Sequence, residues 1–146
     1  MASDLYFASQ LLLAAALGAL LGWERERRGR PAGIRTHLLV TVSSALFTII
    51  GLAFDPTSPM RIAAGVVTGV GFLGAGMIIR DQGGVHGLTT AASIWGAAAV
   101  GTAVAVGLTN VALAATAIMF IAPFIPHVHP DHADPVHSGQ KKRRGL

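Results

Sequence analysis

The chain has 146 residues, room for one domain, of which 52% are hydrophobic and only 12% charged; its mean hydropathy is +0.59. Soluble domains carry about 25% charged residues, so this deficit excludes an ordinary soluble domain and points to a bilayer. The net charge of +4 does not indicate nucleic acid, because the arginines gather at the edges of apolar segments rather than along one face; the absence of cysteine excludes disulfides, haem attachment and thiolate metal sites.

A membrane helix needs about 20 mainly apolar residues. The first candidate is Leu5–Trp23. Its start lacks the positive charge of a secretory leader, and it runs into Glu24-Arg-Glu-Arg-Arg28 rather than a small-residue cleavage site, so it reads as a retained membrane helix. If that helix continues past Trp23, Glu24 and Arg28 pair at four-residue spacing. A basic loop, Glu24–Arg35, follows. An acid adds little to membrane orientation, so Glu24 at this edge suits a cation or an arginine partner better than a purely topological role.

The second segment, Thr36–Phe54, carries His37, Thr41, Ser44 and Thr48 at helical spacing, hence on one face. Two readings are open: hydrogen bonding between helices, or a hydrophilic track entered at His37. After the turn Asp55–Pro59, the third segment, Arg61–Ile79, places Gly65, Gly69 and Gly76 on one face with Gly71 and Gly74 beside it. That pattern suits close helix packing. The run Gly69-Val-Gly-Phe-Leu-Gly74 has dinucleotide-fingerprint spacing, but no strand or βαβ unit surrounds it.

A Gly-rich loop, Arg80–Gly87, leads to a fourth segment, Leu88–Val106, whose first turn holds Thr89, Thr90 and Ser93 in capping positions. A break at Gly107 separates it from a fifth, Leu108–Ile125; these two could equally form one broken helix. The tail has His127, His129, His132 and His137 among prolines and aspartates. This composition suits weak adventitious metal binding and disorder rather than a built site. Lys141–Arg144 suits anionic lipid.

The fold expected is therefore all-α and polytopic, with five transmembrane helices in residues 1–126 and a cytoplasmic tail in 127–146. Arginine placement puts the basic loop, Arg80 and the tail in the cytoplasm and the N-terminus outside. Gly22, Gly29, Gly33, Thr36, Ala45 and Thr48 recur 54 residues later as Gly76, Gly83, Gly87, Thr90, Ala99 and Thr102. A duplicated helical hairpin plus one helix would give this pattern, and chance in a Gly/Ala-rich sequence is the alternative. No nucleophile–base set or carboxylate pair lies in the membrane, so no enzyme activity is expected.

The motifs Gly22-Trp-Glu-Arg-Glu-Arg27, Ala32-Gly-Ile-Arg-Thr-His37, Thr68-Gly-Val-Gly-Phe-Leu-Gly-Ala-Gly-Met-Ile-Ile-Arg80 and Gly87-Leu-Thr-Thr-Ala-Ala-Ser-Ile-Trp95, in order and register over about residues 5–125, resemble the MgtC/SapB family of bacterial inner-membrane proteins. The resemblance implies a role in Mg²⁺ homeostasis, as a transporter or a transport accessory. It also implies the alternative of an interaction protein that restrains the F-type ATP synthase or another membrane complex. Family positions matched here include Glu24, Arg25, Arg35, Thr36, Arg61, Arg80 and Thr90. The family supplies no agreed ion site. The virulence-type members continue into a soluble domain, whereas this chain ends in the His-rich tail and is expected to resemble the shorter members.

Mg²⁺ takes oxygen ligands and keeps several waters. The candidate ion path is Glu24 with Thr36, His37, Thr41, Ser44 and Thr90, flanked by Arg35 and Arg80. No acid is expected deep in a helix, which argues against a tight Mg²⁺ site. No cofactor is expected other than Mg²⁺ as cargo or signal, and the expected partners are the lipid bilayer and a second copy packed through the glycine faces.

Overall fold

Helix α1 (Ala2–Arg27) outruns the first apolar segment by a full turn. Its 26 residues span about 39 Å at 1.5 Å per residue, more than the hydrocarbon thickness of about 30 Å, so it is long enough to cross with its charged last turn beyond the apolar layer. The computed structural model describes residues 2–57, 59–82 and 84–125. The His-rich tail, with the disorder and weak metal binding expected at His127, His129, His132 and His137, lies outside the described residues.

Helix α2 (Ile34–Phe54) starts behind Gly33, where the Glu26 carboxylate accepts the Ile34 backbone N–H at 3.0 Å. Asp55 ends it and organises the turn: one carboxylate oxygen accepts from the Thr57 hydroxyl at 2.6 Å and the other from Arg61 at 2.5 Å. Helix α3 (Pro59–Gly76) opens on proline, which costs nothing where the first N–H has no intrahelical partner. The segment expected to remain helical to Ile79 stops at Gly76. The chain then forms a small antiparallel hairpin, β1 (Ile79–Asp81) with β2 (Gly84–His86), pairing Arg80 with Val85.

Helix α4 (Leu88–Ala105) and helix α5 (Thr109–Ile121) are separate helices. Gly107, at φ +80°, takes the left-handed position that closes α4, with the Leu108 N–H bonding the Ala103 carbonyl and the Gly107 N–H bonding that of Val104. A single 3-10 turn, Ala122–Phe124, follows α5.

Three helices (α1, α2 and α4) are long and apolar enough to cross a membrane, and α3 and α5 are shorter apolar helices. The architecture is an all-α membrane bundle. Helix α4 is its centre and packs on all four others, burying Ile94, Ala97, Ala98, Val100 and Val104. Its small residues let neighbours close in: a Cβ on Gly101 would strike the Thr41 carbonyl of α2, and one on Gly18 would reach the Thr41 hydroxyl at 2.5 Å. Helices α2 and α4 begin 54 residues apart, at Ile34 and Leu88, each behind a glycine.

Candidate functional site

The buried stripe of α1 explains the site. Gln10, Ala14, Leu17, Gly18 and Leu21 recur at three- and four-residue steps and face the core. The next residues on that stripe are Glu24 and Arg25, so the helix carries both charges inward, to 5% and 4% exposure. They meet the α1–α2 loop, the hairpin, the start of α4 and the end of α5. A polar cavity of about 950 Å³ opens there, at the basic end of the bundle, lined by Glu24, Arg25, Arg28, Arg30, Thr90 and Phe124 among others.

Arg25 is held by neutral groups. Its Nη2 donates to the Thr90 hydroxyl at 2.5 Å and to the Pro31 carbonyl at 3.1 Å, and its Nε donates to the same carbonyl at 3.3 Å. Arg28 lies with its Nε 2.5 Å from Glu24 Oε1, the pair at four-residue spacing. That approach is off the line of a hydrogen bond, so the buried oxygen is ion-paired but accepts none. The Arg28 guanidinium also stacks 3.9 Å from the Phe124 ring centre and donates to the Pro123 carbonyl at 3.3 Å.

Beneath the cavity His37 is fully buried. Its Nδ1 lies 3.2 Å from the Gly33 carbonyl and therefore carries the hydrogen; its Nε2 lies 3.2 Å from the Ser93 hydroxyl, which is 2.8 Å from the Thr90 carbonyl. Farther along α2 the hydroxyls turn onto their own helix: Thr41 donates to the His37 carbonyl and Thr48 to that of Ser44, both at 2.7 Å. Gly18 and Gly101 pack against Thr41. Thr41 does not line either cavity described here, and Ser44 touches the edge of a separate apolar groove.

Of the residues singled out in the sequence, Glu24 and Thr90 thus meet at the cavity, and His37 adjoins it. Arg35 is exposed and Thr36 half-buried on the outer side of α2, and Arg80 is exposed on β1; none of the three lines the cavity. Arg25 was named only as a matched family position and Ser93 only as a capping residue, and neither they nor Arg30 were placed on the candidate ion path. The signal for Arg25 was present, because its position continues the period of the buried face.

The apolar groove, about 490 Å³, runs between α2 and α3 and is lined by Phe47, Ile50, Ile62, Val66 and Leu73. On α3, Gly65, Gly69, Gly71 and Gly76 have nothing within 4 Å of an added Cβ, while Gly74 makes ordinary contact with Ala91 at 3.7 Å. Within the chain, close approaches are made instead by Gly18, Gly22, Gly51, Gly96 and Gly101. Among the described residues no group of three or more His, Asp or Glu is placed to hold a metal ion.

A family model described as the MgtC family matches residues 11–129. The chain is 48% identical over 112 residues to Protein MgtC of Salmonella typhimurium strain LT2, covering 77% of this chain and 48% of that protein. It is 46% identical over 110 residues to Protein MgtC of Brucella abortus strain 2308, covering 75% and 46% respectively. The chain spans about half the length of these curated relatives. No solved structure matches it.

Proposed function

The chain belongs to the MgtC family, and on that premise we propose that it is a membrane protein of Mg²⁺ homeostasis, acting as a transport accessory rather than as the ion conduit. The observation that carries this reading is the contrast between the two ends of the polar stripe. The basic end opens into a cavity, whereas the polar face below it is closed by helix packing: His37 and Thr41 are fully buried, Gly18 and Gly101 press on Thr41, and the hydroxyls spend their hydrogens on their own helix. An ion path would need polar groups turned to a lumen. The positive-inside rule assigns the basic end to the cytoplasm of a bacterial inner membrane, with the N-terminus outside.

A second reading has its own support. The bare glycines of α3 beside an apolar groove form the surface that small-residue helix association uses. We assign that face to a homodimer, with the F-type ATP synthase or another membrane complex as the competing occupant. Co-purification from membranes separates these.

The test of the accessory role is growth at limiting Mg²⁺ of a strain deleted for its own MgtC-family gene. Wild type and Thr41→Val are expected to restore growth, and Glu24→Gln and Arg25→Gln are expected to fail while still reaching the membrane. Full rescue by both cavity variants together with failure of Thr41→Val would reverse the assignment.

A further inference from the structure

We propose that the cavity at the basic end is a binding site for a phosphate group, held by Arg25, Arg30 and the first backbone N–H groups of α4. This rests on the reading of that cavity as the working site and names its ligand class. Three independent features converge on it.

The first is an excess of cationic groups over carboxylate at the cavity. Arg25 is 4% exposed, yet its hydrogen bonds go only to a carbonyl and a hydroxyl. The adjacent carboxylate, Glu24, is engaged by Arg28. Arg30 lines the same cavity and has no ion pair or side-chain hydrogen bond among the described residues. Glu24 is thus shared between Arg25 and Arg28 while Arg30 adds repulsion, which leaves positive charge in excess at a partly buried site, and an anion in the cavity offsets that excess. A divalent cation does not match, because the cavity's one carboxylate is already neutralised and three arginines surround it.

The second is the start of α4. Its cap residue, Gly87, supplies no side-chain acceptor, and the first intrahelical bond is Ala91 N–H to the Gly87 carbonyl at 2.9 Å. The N–H groups of Leu88, Thr89 and Thr90 precede that bond, and all three residues line the cavity. An 18-residue helix presents its positive dipole end there. Guanidinium groups and helix N-terminal amides together are the donors that a phosphate oxygen shell accepts.

The third is the rim. Leu88, Phe124 and Ile125 stand 57%, 60% and 67% exposed at the cavity mouth. An apolar rim above a phosphate-binding floor at a membrane boundary fits a phospholipid headgroup, with its glycerol and acyl region against the rim. A soluble phosphate ester shares the floor chemistry but not the need for the rim.

The experiment uses the full chain in detergent, titrated with phosphatidylglycerol and followed by retained adducts in native mass spectrometry. Diacylglycerol, which lacks the phosphate, is the control lipid, and inorganic phosphate is a second probe. Saturable phosphatidylglycerol binding is expected, with none for diacylglycerol. Arg30→Gln, a change at an exposed side chain that leaves folding intact even if Arg25→Gln does not, should weaken binding about tenfold, as loss of one charge-assisted contact requires. Arg61→Gln, at the other end of the bundle, should leave it unchanged. Displacement of the lipid by millimolar inorganic phosphate would keep the phosphate site and assign it to a soluble ester. Equal binding of diacylglycerol, or equal affinity in Arg30→Gln and wild type, would overturn the proposal. Absence of binding alongside growth failure of Arg25→Gln would overturn the ligand class alone. Specific binding alongside full rescue by Arg25→Gln would keep the site and overturn the role given to the cavity.

Discussion

Thr41 sits where α1, α2 and α4 meet, and its neighbours decide whether that point is a passage or a joint. A methyl group on Gly101 would collide with the Thr41 backbone, which the rigid helix cannot yield cheaply. Gly101→Ala should therefore destabilise the chain by about 1–3 kcal/mol, the usual cost of overpacking, read as a lower thermal midpoint in detergent. Gly69→Ala meets open space and should be neutral or slightly stabilising, since alanine is the better helix former by up to about 1 kcal/mol. Equal losses in the two variants would contradict the packing described. At this scale the sequence was legible for Glu24 and Arg28, whose spacing implies their pairing. It was less so for Arg25, which reads as one more topology-setting arginine unless the period of the buried stripe is carried past Trp23. Glycine roles were harder still, because pattern alone shows where a helix can be approached and not which neighbour approaches it.

At the scale of elements, apolar length located the helices and punctuation located their ends. Gly107 separates α4 from α5 by taking positive φ, a role compatible from sequence alone with a mere kink. The loop after α3 was expected to be irregular and forms a hairpin instead, because Ile79 and Val85 fall in two short runs that pair across a turn at Gln82; at three residues each, such runs are below what periodicity detects. The order of these elements and the arginine distribution give an orientation that can be checked cleanly, since the chain has no cysteine of its own. An impermeant maleimide added to spheroplasts should label Pro56→Cys, in the α2–α3 turn, without permeabilisation. It should label Gln82→Cys, in the hairpin turn, only after permeabilisation. The reverse pattern would invert the assigned topology and place the cavity outside.

At the scale of the whole molecule, two features among the described residues invite an occupant: the α2–α3 groove with its bare glycines, and the basic cavity. A homodimer through α3 would cover the first, and Gly69→Leu, whose Cβ has nothing within 4 Å in the isolated chain, should then shift the detergent-solubilised chain from dimer to monomer with its thermal midpoint retained. An unchanged dimer would move the interface elsewhere. The proposed accessory role rests on the close packing of the polar face at His37 and Thr41. The direct measurement is Mg²⁺ entry into proteoliposomes containing an entrapped Mg²⁺-sensitive dye, under imposed voltage and pH gradients. Entry should equal that of empty liposomes for wild type and Glu24→Gln alike. Entry above the empty-liposome rate that is abolished by Glu24→Gln or Thr41→Val would show that an ion passes by the cavity of α1 or the buried face of α2, and would contradict the account.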